Sequence, residues 1–313
     1  MTDDLIRALK GALDYSRVYR RQTFVVKLGG EVLADRAVLD NVAMQVALLE
    51  ALSVRVVLVH GGGPQSSELS RKLGLEPEVV AGRRVTTPAV LEVAKMVYAG
   101  QLNVDLLSAL RGQQVRAVGL SGVDGGLLTA SRRPPVALRD DDGTDRTVDF
   151  GEVGDITGVD PSVLTTLLDA GYVPVVASLA ADAGGQALNI NADTVAEALT
   201  TALDADKLIF LTTSPGLLRD VEDPTTLVAF ATPAELEPLL VSGAIAGGMR
   251  PKVEACIRAV RGGVRRTHII DGTEPDSLLM ELFTGRGCGT MIVDRRELAD
   301  YTSHELARNG TDG

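Results

Sequence analysis

Tryptophan is absent from this 313-residue chain, aromatic residues make up 3% of it, and cysteine occurs only twice and histidine three times. The two cysteines, Cys256 and Cys288, read as reduced thiols and, with so few histidines, make no zinc site. No apolar run reaches the roughly 20 residues needed to cross a bilayer. Asp3 and Asp4 stand where a signal peptide would be basic, so a cytoplasmic protein without a membrane partner is expected. A formal net charge of −11 argues against nucleic acid as a partner, although not against a nucleotide held by a few local lysines. There is no GK dipeptide and hence no Walker A loop, and no protein-kinase catalytic loop or DFG. HGGG at His60 to Gly63 also occurs in esterases, but these need a GxSxG elbow, and Gly119 to Val123 reads GLSGV.

What the chain does have is a set of short segments that carry chemistry: FVVKLGG (Phe24 to Gly30), VVLVHGGGP (Val56 to Pro64), LNINADTV (Leu188 to Val195) and GGMRPKV (Gly247 to Val253). The first two are apolar runs that end in glycines, where backbone N–H groups can approach an anion with no Cβ in the way. Pro64 suits the first turn of a helix, whose N-terminus favours a negative ligand. Lysine is scarce relative to arginine, yet Lys27 and Lys252 both lie in apolar or glycine-rich sequence rather than in a solvated charge run. Two lysines, one aspartate (Asp193) and two glycine cradles suit transfer of a phosphoryl group.

An apolar content of 45% and alternating patterns predict an α/β sandwich with a mainly parallel sheet. Strands are expected at 24–28, 54–59, 117–120, 172–177, 208–211 and 267–270, and helices at 37–52, 65–73, 88–110, 161–170 and 193–203. The stretch 136–150 breaks this pattern, and its acids Asp140, Asp141 and Asp142 read as a solvated hairpin tip. Leu5, Ile6, Leu9, Leu13 and Val18 are spaced for one face of an N-terminal helix.

In order and spacing, these segments resemble the amino-acid kinase family, and within it the branch that phosphorylates N-acetyl-L-glutamate in arginine biosynthesis. The likeness runs from about Thr23 to Val293 and includes GRRVTTP (Gly82 to Pro88), VDFGEVGDI (Val148 to Ile156) and HIIDG (His268 to Gly272). It implies a three-layer αβα sandwich in two lobes, with an oligomerisation helix at 1–22, an amino-acid lobe at 23–205 and a nucleotide lobe at 206–313. It further implies ATP with Mg²⁺ carried by the nucleotide, Lys27 and Lys252 on either side of the transferred group, and Asp193 orienting both. Gly62 and Gly63 are then expected to receive the acceptor carboxylate, Arg84 to fork onto the α-carboxylate, and Asn189, supported by Asn191, to bind the acylamino group. Gly29 and Gly30 would offer N–H groups to phosphate, and Thr213, Ser214, Gly216, Gly248 and Met249 would line the nucleotide. No protein residue is assigned to a metal.

The resembling branch has an arginine-inhibited, hexameric form, which implies a homo-oligomer, dimer or hexamer, and an L-arginine site. Tyr15, Tyr19, His268 and Glu281 occupy the corresponding positions, Glu281 as partner of the inhibitor's cationic end. The chain departs from the pattern at Thr213 and Ser214, where many relatives carry Asp-Val, and at Val104, where lysine is frequent. Two other readings stay open: a kinase for N-blocked L-2-aminoadipate, one methylene longer, and a non-catalytic amino-acid sensor. Synthase activity is not expected, because no acetyltransferase domain follows.

Overall fold

A computed structural model describes residues 17–80, 83–139, 145–284 and 287–297. Its central sheet has eight strands: β1 (Thr23–Leu28), β2 (Arg55–His60), β3 (Ala117–Ser121), β4 (Val173–Ala177), β5 (Lys207–Thr212), β6 (Phe230–Ala231), β7 (Arg266–Asp271) and β8 (Thr290–Ile292). They lie in the order β6-β8-β7-β5-β1-β2-β4-β3, and every neighbouring pair is parallel except β7 with β8. The six strands expected from the sequence are all present, and the sheet is continuous across position 205, with Phe24 of β1 opposite Lys207 of β5.

Nine helices cover the sheet among the described residues: α1 (Arg36–Ala51), α2 (Gly63–Lys72), α3 (Pro88–Lys95), α4 (Asn103–Gly112), α5 (Ser162–Asp169), α6 (Ala192–Ala202), α7 (Pro233–Ser242), α8 (Met249–Arg261) and α9 (Ser277–Phe283). Side chains alternate between the faces of a strand, so a buried parallel strand serves two cores. Phe24, Val26 and Leu28 of β1 pack with Leu39 and Val42 of α1, Leu106 and Leu110 of α4, and Leu278 and Leu282 of α9. Val25 faces the other way, towards Leu164 of α5, Val195 and Leu199 of α6, Leu236 of α7 and Val253 of α8. This is the expected three-layer α/β sandwich.

Two features differ from the sequence expectation. Residues 88–112 do not form one regular helix, because a π-helical turn, Met96–Leu102, separates α3 from α4. Its wider winding re-aims everything that follows it. The chain also builds a second sheet, in which strands Ala187–Asn189, Leu179–Ala181, Leu128–Arg132 and Gly154–Val159 are neighbours in that order. Two of these strands are only three residues long and Gly154–Val159 contains two glycines, which hides their period. The stretch at 136–150 is a strand pair, Val136–Arg139 with Asp145–Val148, and Asp140 to Asp142 lie outside the described residues.

Candidate active site

All six long parallel strands end at one edge of the sheet, and the chemistry gathers there, as in open α/β sheets generally. Lys27 shares a strand face with Val25 and therefore points to the layer that holds α6 and α8. Asp193 in the first turn of α6 and Lys252 in the first turn of α8 approach from that layer. Lys27 Nζ lies 2.7 Å from Asp193 Oδ1, and Lys252 Nζ lies 3.7 Å from Asp193 Oδ2. Lys252 Nζ also donates to Gly248 O at 2.9 Å. The three expected catalytic residues are thus brought into one buried cluster. Burial alone would push the Asp193 carboxyl up, but the charges of Lys27 and Lys252 outweigh it and hold the group below the usual carboxylate range. Burial, helped by the nearby Lys27 charge, lowers Lys252 against the opposing pull of Asp193.

Asn191 caps the helix that carries Asp193. Its Oδ1 caps α6, accepting from the N–H groups of Asp193 at 2.7 Å and Thr194 at 3.3 Å, and this fixes Asp193 at the helix start. Asn189 sits at the end of the second sheet, where its Nδ2 donates to Thr86 Oγ1 at 3.1 Å. Gly151, in the left-handed region at φ +73°, closes this corner, since a Cβ there would meet Thr86 O at 2.3 Å.

The two glycine loops touch one another. A Cβ on Gly30 would come within 2.7 Å of Pro64 Cδ, and Gln65 Nε2 donates to Gly30 O at 2.6 Å. The expectation that Gly29 offers its N–H to phosphate is overturned, because that N–H donates to Leu211 O at 3.0 Å and continues the strand pairing. The second loop starts α2 without any side-chain cap, which leaves the helix N-terminus for an anion. Gly62 is required by space: a Cβ would lie 2.3 Å from Leu102 Cδ1 and 3.0 Å from the Tyr98 ring. Arg84 closes this side, donating through Nη2 to Gly63 O and Ser67 Oγ, while its buried Nη1 has no partner among the described residues. A half-buried guanidinium with an unused donor at an uncapped helix N-terminus suits a carboxylate.

On the other side, Thr212 to Leu217 form a turn whose polar groups bind one another. Ser214 N–H donates to Thr212 Oγ1 at 2.8 Å and Ser214 Oγ to Gly216 O at 2.9 Å, while Thr213 is exposed. Gly216, at φ +147°, lets the turn press against Thr290, whose Oγ1 would lie 2.6 Å from a Cβ. Gly248 starts α8 with no side-chain cap and nothing within 4 Å of its missing Cβ, and Met249 packs on the core beneath. A second helix N-terminus is therefore open to an anion next to Lys252.

Away from this edge, His268 and Glu281 bind each other rather than facing an open site. His268 Nδ1 lies 2.7 Å from Glu281 Oε1, and Glu281 Oε2 accepts from Cys288 N at 2.7 Å and Gly289 N at 3.1 Å. Burial would raise Glu281, yet the His268 hydrogen bond and the two amides bring it down to about 2. Burial lowers His268 against the raising pull of Glu281, and because a carboxylate only accepts, Nδ1 is the donor to Glu281 Oε1. Tyr19 is buried, its hydroxyl donating to Leu282 O at 3.0 Å, whereas Val18 is 56% exposed and leaves the apolar stripe expected for it. Tyr15 lies outside the described residues. Cys256 and Cys288 are free thiols.

Sequence reasoning missed His60 and Asn103 as individuals. His60 is fully buried, with Nδ1 2.9 Å from Gly61 O and Nε2 3.3 Å from Asn103 Nδ2. The available signal was a histidine ending the apolar run Val56 to Val59.

The model of the amino acid kinase family matches residues 22–271. An acetylglutamate kinase of Myxococcus xanthus is 49% identical over 294 residues, covering 94% of this chain and 96% of that protein. One from Symbiobacterium thermophilum is 45% identical over 290 residues, covering 93% and 98%. Among solved structures, N-acetylglutamate synthase from Neisseria gonorrhoeae with coenzyme A and N-acetyl-glutamate superposes with a TM-score of 0.78 at 30% identity, covering 93% of this chain. This chain spans only 63% of that synthase's length. The same synthase has been solved with coenzyme A and L-arginine, at a TM-score of 0.75 and 28% identity, with 93% of this chain and 65% of that one covered. Lysine cluster, glycine loops, fold and relatives agree, and the chain belongs to the amino acid kinase family.

Proposed function

We propose that the protein transfers the γ-phosphoryl group of ATP to the side-chain carboxylate of N-acetyl-L-glutamate. The observation that carries this is the buried Lys27–Asp193–Lys252 cluster placed beside two uncapped helix N-termini, one for each anion. A side-chain carboxylate has a pKa of about 4.3, so at neutral pH the acceptor is already an ionised nucleophile and no general base is needed. What remains is to hold two anions together and to neutralise charge on the group in flight. Lys27 and Lys252 do so from opposite sides, and Asp193 keeps both ammoniums aimed without touching phosphate.

The N-terminus of α2, with Gly62 and Gly63, receives the acceptor's side-chain carboxylate. Arg84 takes the α-carboxylate on its unused Nη1, and Asn189 takes the acylamino group. The nucleotide lies along Gly216, Thr213 and the N-terminus of α8, with Gly30, Gly248 and Met249 beside it. Open space at Gly248 and an uncapped helix fit a polyphosphate. Mg²⁺ travels with it, shielding the phosphate charges. The boundary at 205/206 separates the acceptor half from the nucleotide half.

A coupled assay with ATP tests this, offering acetylglutamate, acetylaminoadipate, glutamate and aspartate in turn. Turnover of acetylglutamate alone supports the reading. Preference for acetylaminoadipate moves the substrate by one methylene, and no turnover of any carboxylate leaves a sensor.

A homo-oligomer and feedback by L-arginine complete the proposal, supported by the arginine complex of the related synthase. Both are attributed to the N-terminal segment, since His268 and Glu281 satisfy each other and Tyr19 is buried. Removing residues up to 21 is expected to reduce the particle mass and abolish inhibition by millimolar arginine. A shortened protein that stays hexameric and inhibited rules out both roles.

A further inference from the structure

The π-helical turn Met96–Leu102 buries Val97, Tyr98 and Leu102. Its placement is specific. Tyr98 and Leu102 from this turn occupy the space where a Cβ on Gly62 would stand, and Asn103, the next residue, points into the sheet. Asn103 Nδ2 is 3.3 Å from His60 Nε2, 3.4 Å from Leu120 O and 3.3 Å from Val175 O. Two carbonyl neighbours identify this atom as the amide nitrogen, and an amide nitrogen can only donate. A carbonyl oxygen only accepts, so Gly61 O, 2.9 Å from His60 Nδ1, places the ring proton on Nδ1 and leaves Nε2 as an acceptor towards the two N–H groups that Asn103 Nδ2 shares among its three neighbours. Gly119 makes the arrangement possible, because a Cβ there would lie 1.9 Å from Asn103 Oδ1.

We infer that His60 is a positioning residue: Asn103, delivered by the π turn, sets its tautomer so that the imidazole N–H holds the Gly61 carbonyl and thereby aims the N–H groups of Gly62 and Gly63 at the acceptor carboxylate. A peptide plane is rigid, so fixing the carbonyl of Gly61 fixes the N–H of Gly62 on the opposite edge of the same plane. Gly61 also packs against Ala192, where a Cβ would lie 3.3 Å from Ala192 Cβ, so the same plane borders the first turn that carries Asp193. Burial and the neighbouring Lys27 charge bring His60 down to about 4, in keeping with a neutral ring that donates from one nitrogen only. The kinetic part of this inference rests on the acceptor site proposed above.

Two measurements test it. In the full-length protein, ¹⁵N shifts of the imidazoles at pH 7 should show Nδ1 protonated and Nε2 bare in His60, and Asn103→Asp should move the proton to Nε2. A wild-type ring protonated on Nε2, or a tautomer unmoved by Asn103→Asp, overturns the inference. In kinetics, His60→Leu should raise the acceptor KM and lower kcat together by about tenfold or more, with the KM for ATP within about twofold. His60→Asn, which keeps an N–H near the Nδ1 position, should recover most of that loss. Equal kinetics in the two variants would mean that His60 only fills space. If the wild type phosphorylates no carboxylate, the acceptor reading fails, and the tautomer measurement alone still decides whether Asn103 sets the ring.

Discussion

The Asp193 carboxylate stands 2.7 Å from the Lys27 ammonium, and both side chains are more than nine-tenths buried. With Lys252 on the other oxygen, one acid serves two bases, which leaves the cluster with a net positive charge facing the strand ends. Lys27→Ala and Lys252→Ala should each lower kcat by on the order of 100-fold or more while changing substrate KM modestly, because their charge acts on the transferring group. Lys27→Arg should rescue poorly, as a planar fork does not replace a compact ammonium among glycines. Steady-state kinetics of the three variants decide it, and full activity in either alanine variant ends the two-lysine model.

Asp193→Asn removes the carboxylate that contacts both the Lys27 and Lys252 ammoniums. Breaking such a pair costs roughly 3–5 kcal/mol, so thermal unfolding should occur well below the wild type at pH 7. The folded-state pKa of Asp193 is depressed, so its contribution is present above the unfolded carboxylate value and fades as pH falls through the folded one. Wild type and variant should therefore converge in acid. A constant difference in unfolding temperature from pH 7 to pH 3 would show that Asp193 stabilises by packing rather than charge.

Arg84→Lys should raise KM for the amino-acid substrate far more than KM for ATP. Lysine keeps the charge but loses the fork that holds Gly63 O and Ser67 Oγ while offering a further nitrogen. An equal rise for both substrates would place Arg84 in the other subsite.

Much of the site was legible because strand ends and glycine loops write themselves locally. Lys27 follows an apolar β-branched run, and its face is set by alternation with Val25. Asp193 follows an Asn at a helix start, so its place in the first turn could be read directly. What stayed hidden depends on partners distant in sequence. Gly29 looks free in FVVKLGG, but strand β5 arrives from over 180 residues away and takes its N–H through Leu211. Glu281, expected to meet an inhibitor's cationic end, instead meets His268 of β7, and the loop at Cys288 folds over its second oxygen. The π turn leaves no local mark, because its reason is the space above Gly62.

That space gives a prediction of its own. Gly62→Ala places a methyl group 2.3 Å from Leu102 Cδ1, so either Leu102 or the loop must move. Activity should fall sharply, and Leu102→Ala introduced in the same protein should restore part of it by vacating the contact. If the double variant is no better than Gly62→Ala alone, the loss comes from the Gly62 backbone and not from crowding by the π turn.

The last prediction concerns the buried pair behind the sheet. Glu281 satisfies both oxygens with three donors from β7 and the loop before β8, and thereby ties α9 to both. Its carboxyl is brought down to about 2 from an ordinary value of 4.5, so the bond contributes in full above about pH 4.5 and is lost as pH falls towards 2. Glu281→Gln keeps the shape but offers one oxygen for three donors and leaves N–H groups unpaired, at a cost of roughly 1–3 kcal/mol. The variant should unfold at lower temperature at pH 7, and its unfolding temperature should fall less steeply between pH 5 and pH 3 than that of the wild type. Because this pair lies away from the Lys27 cluster, turnover at 25 °C should change little while the protein remains folded. Parallel acid limbs in the two proteins would show that Glu281 carries no special charge, and a large drop in kcat without a drop in stability would tie α9 to the chemistry itself.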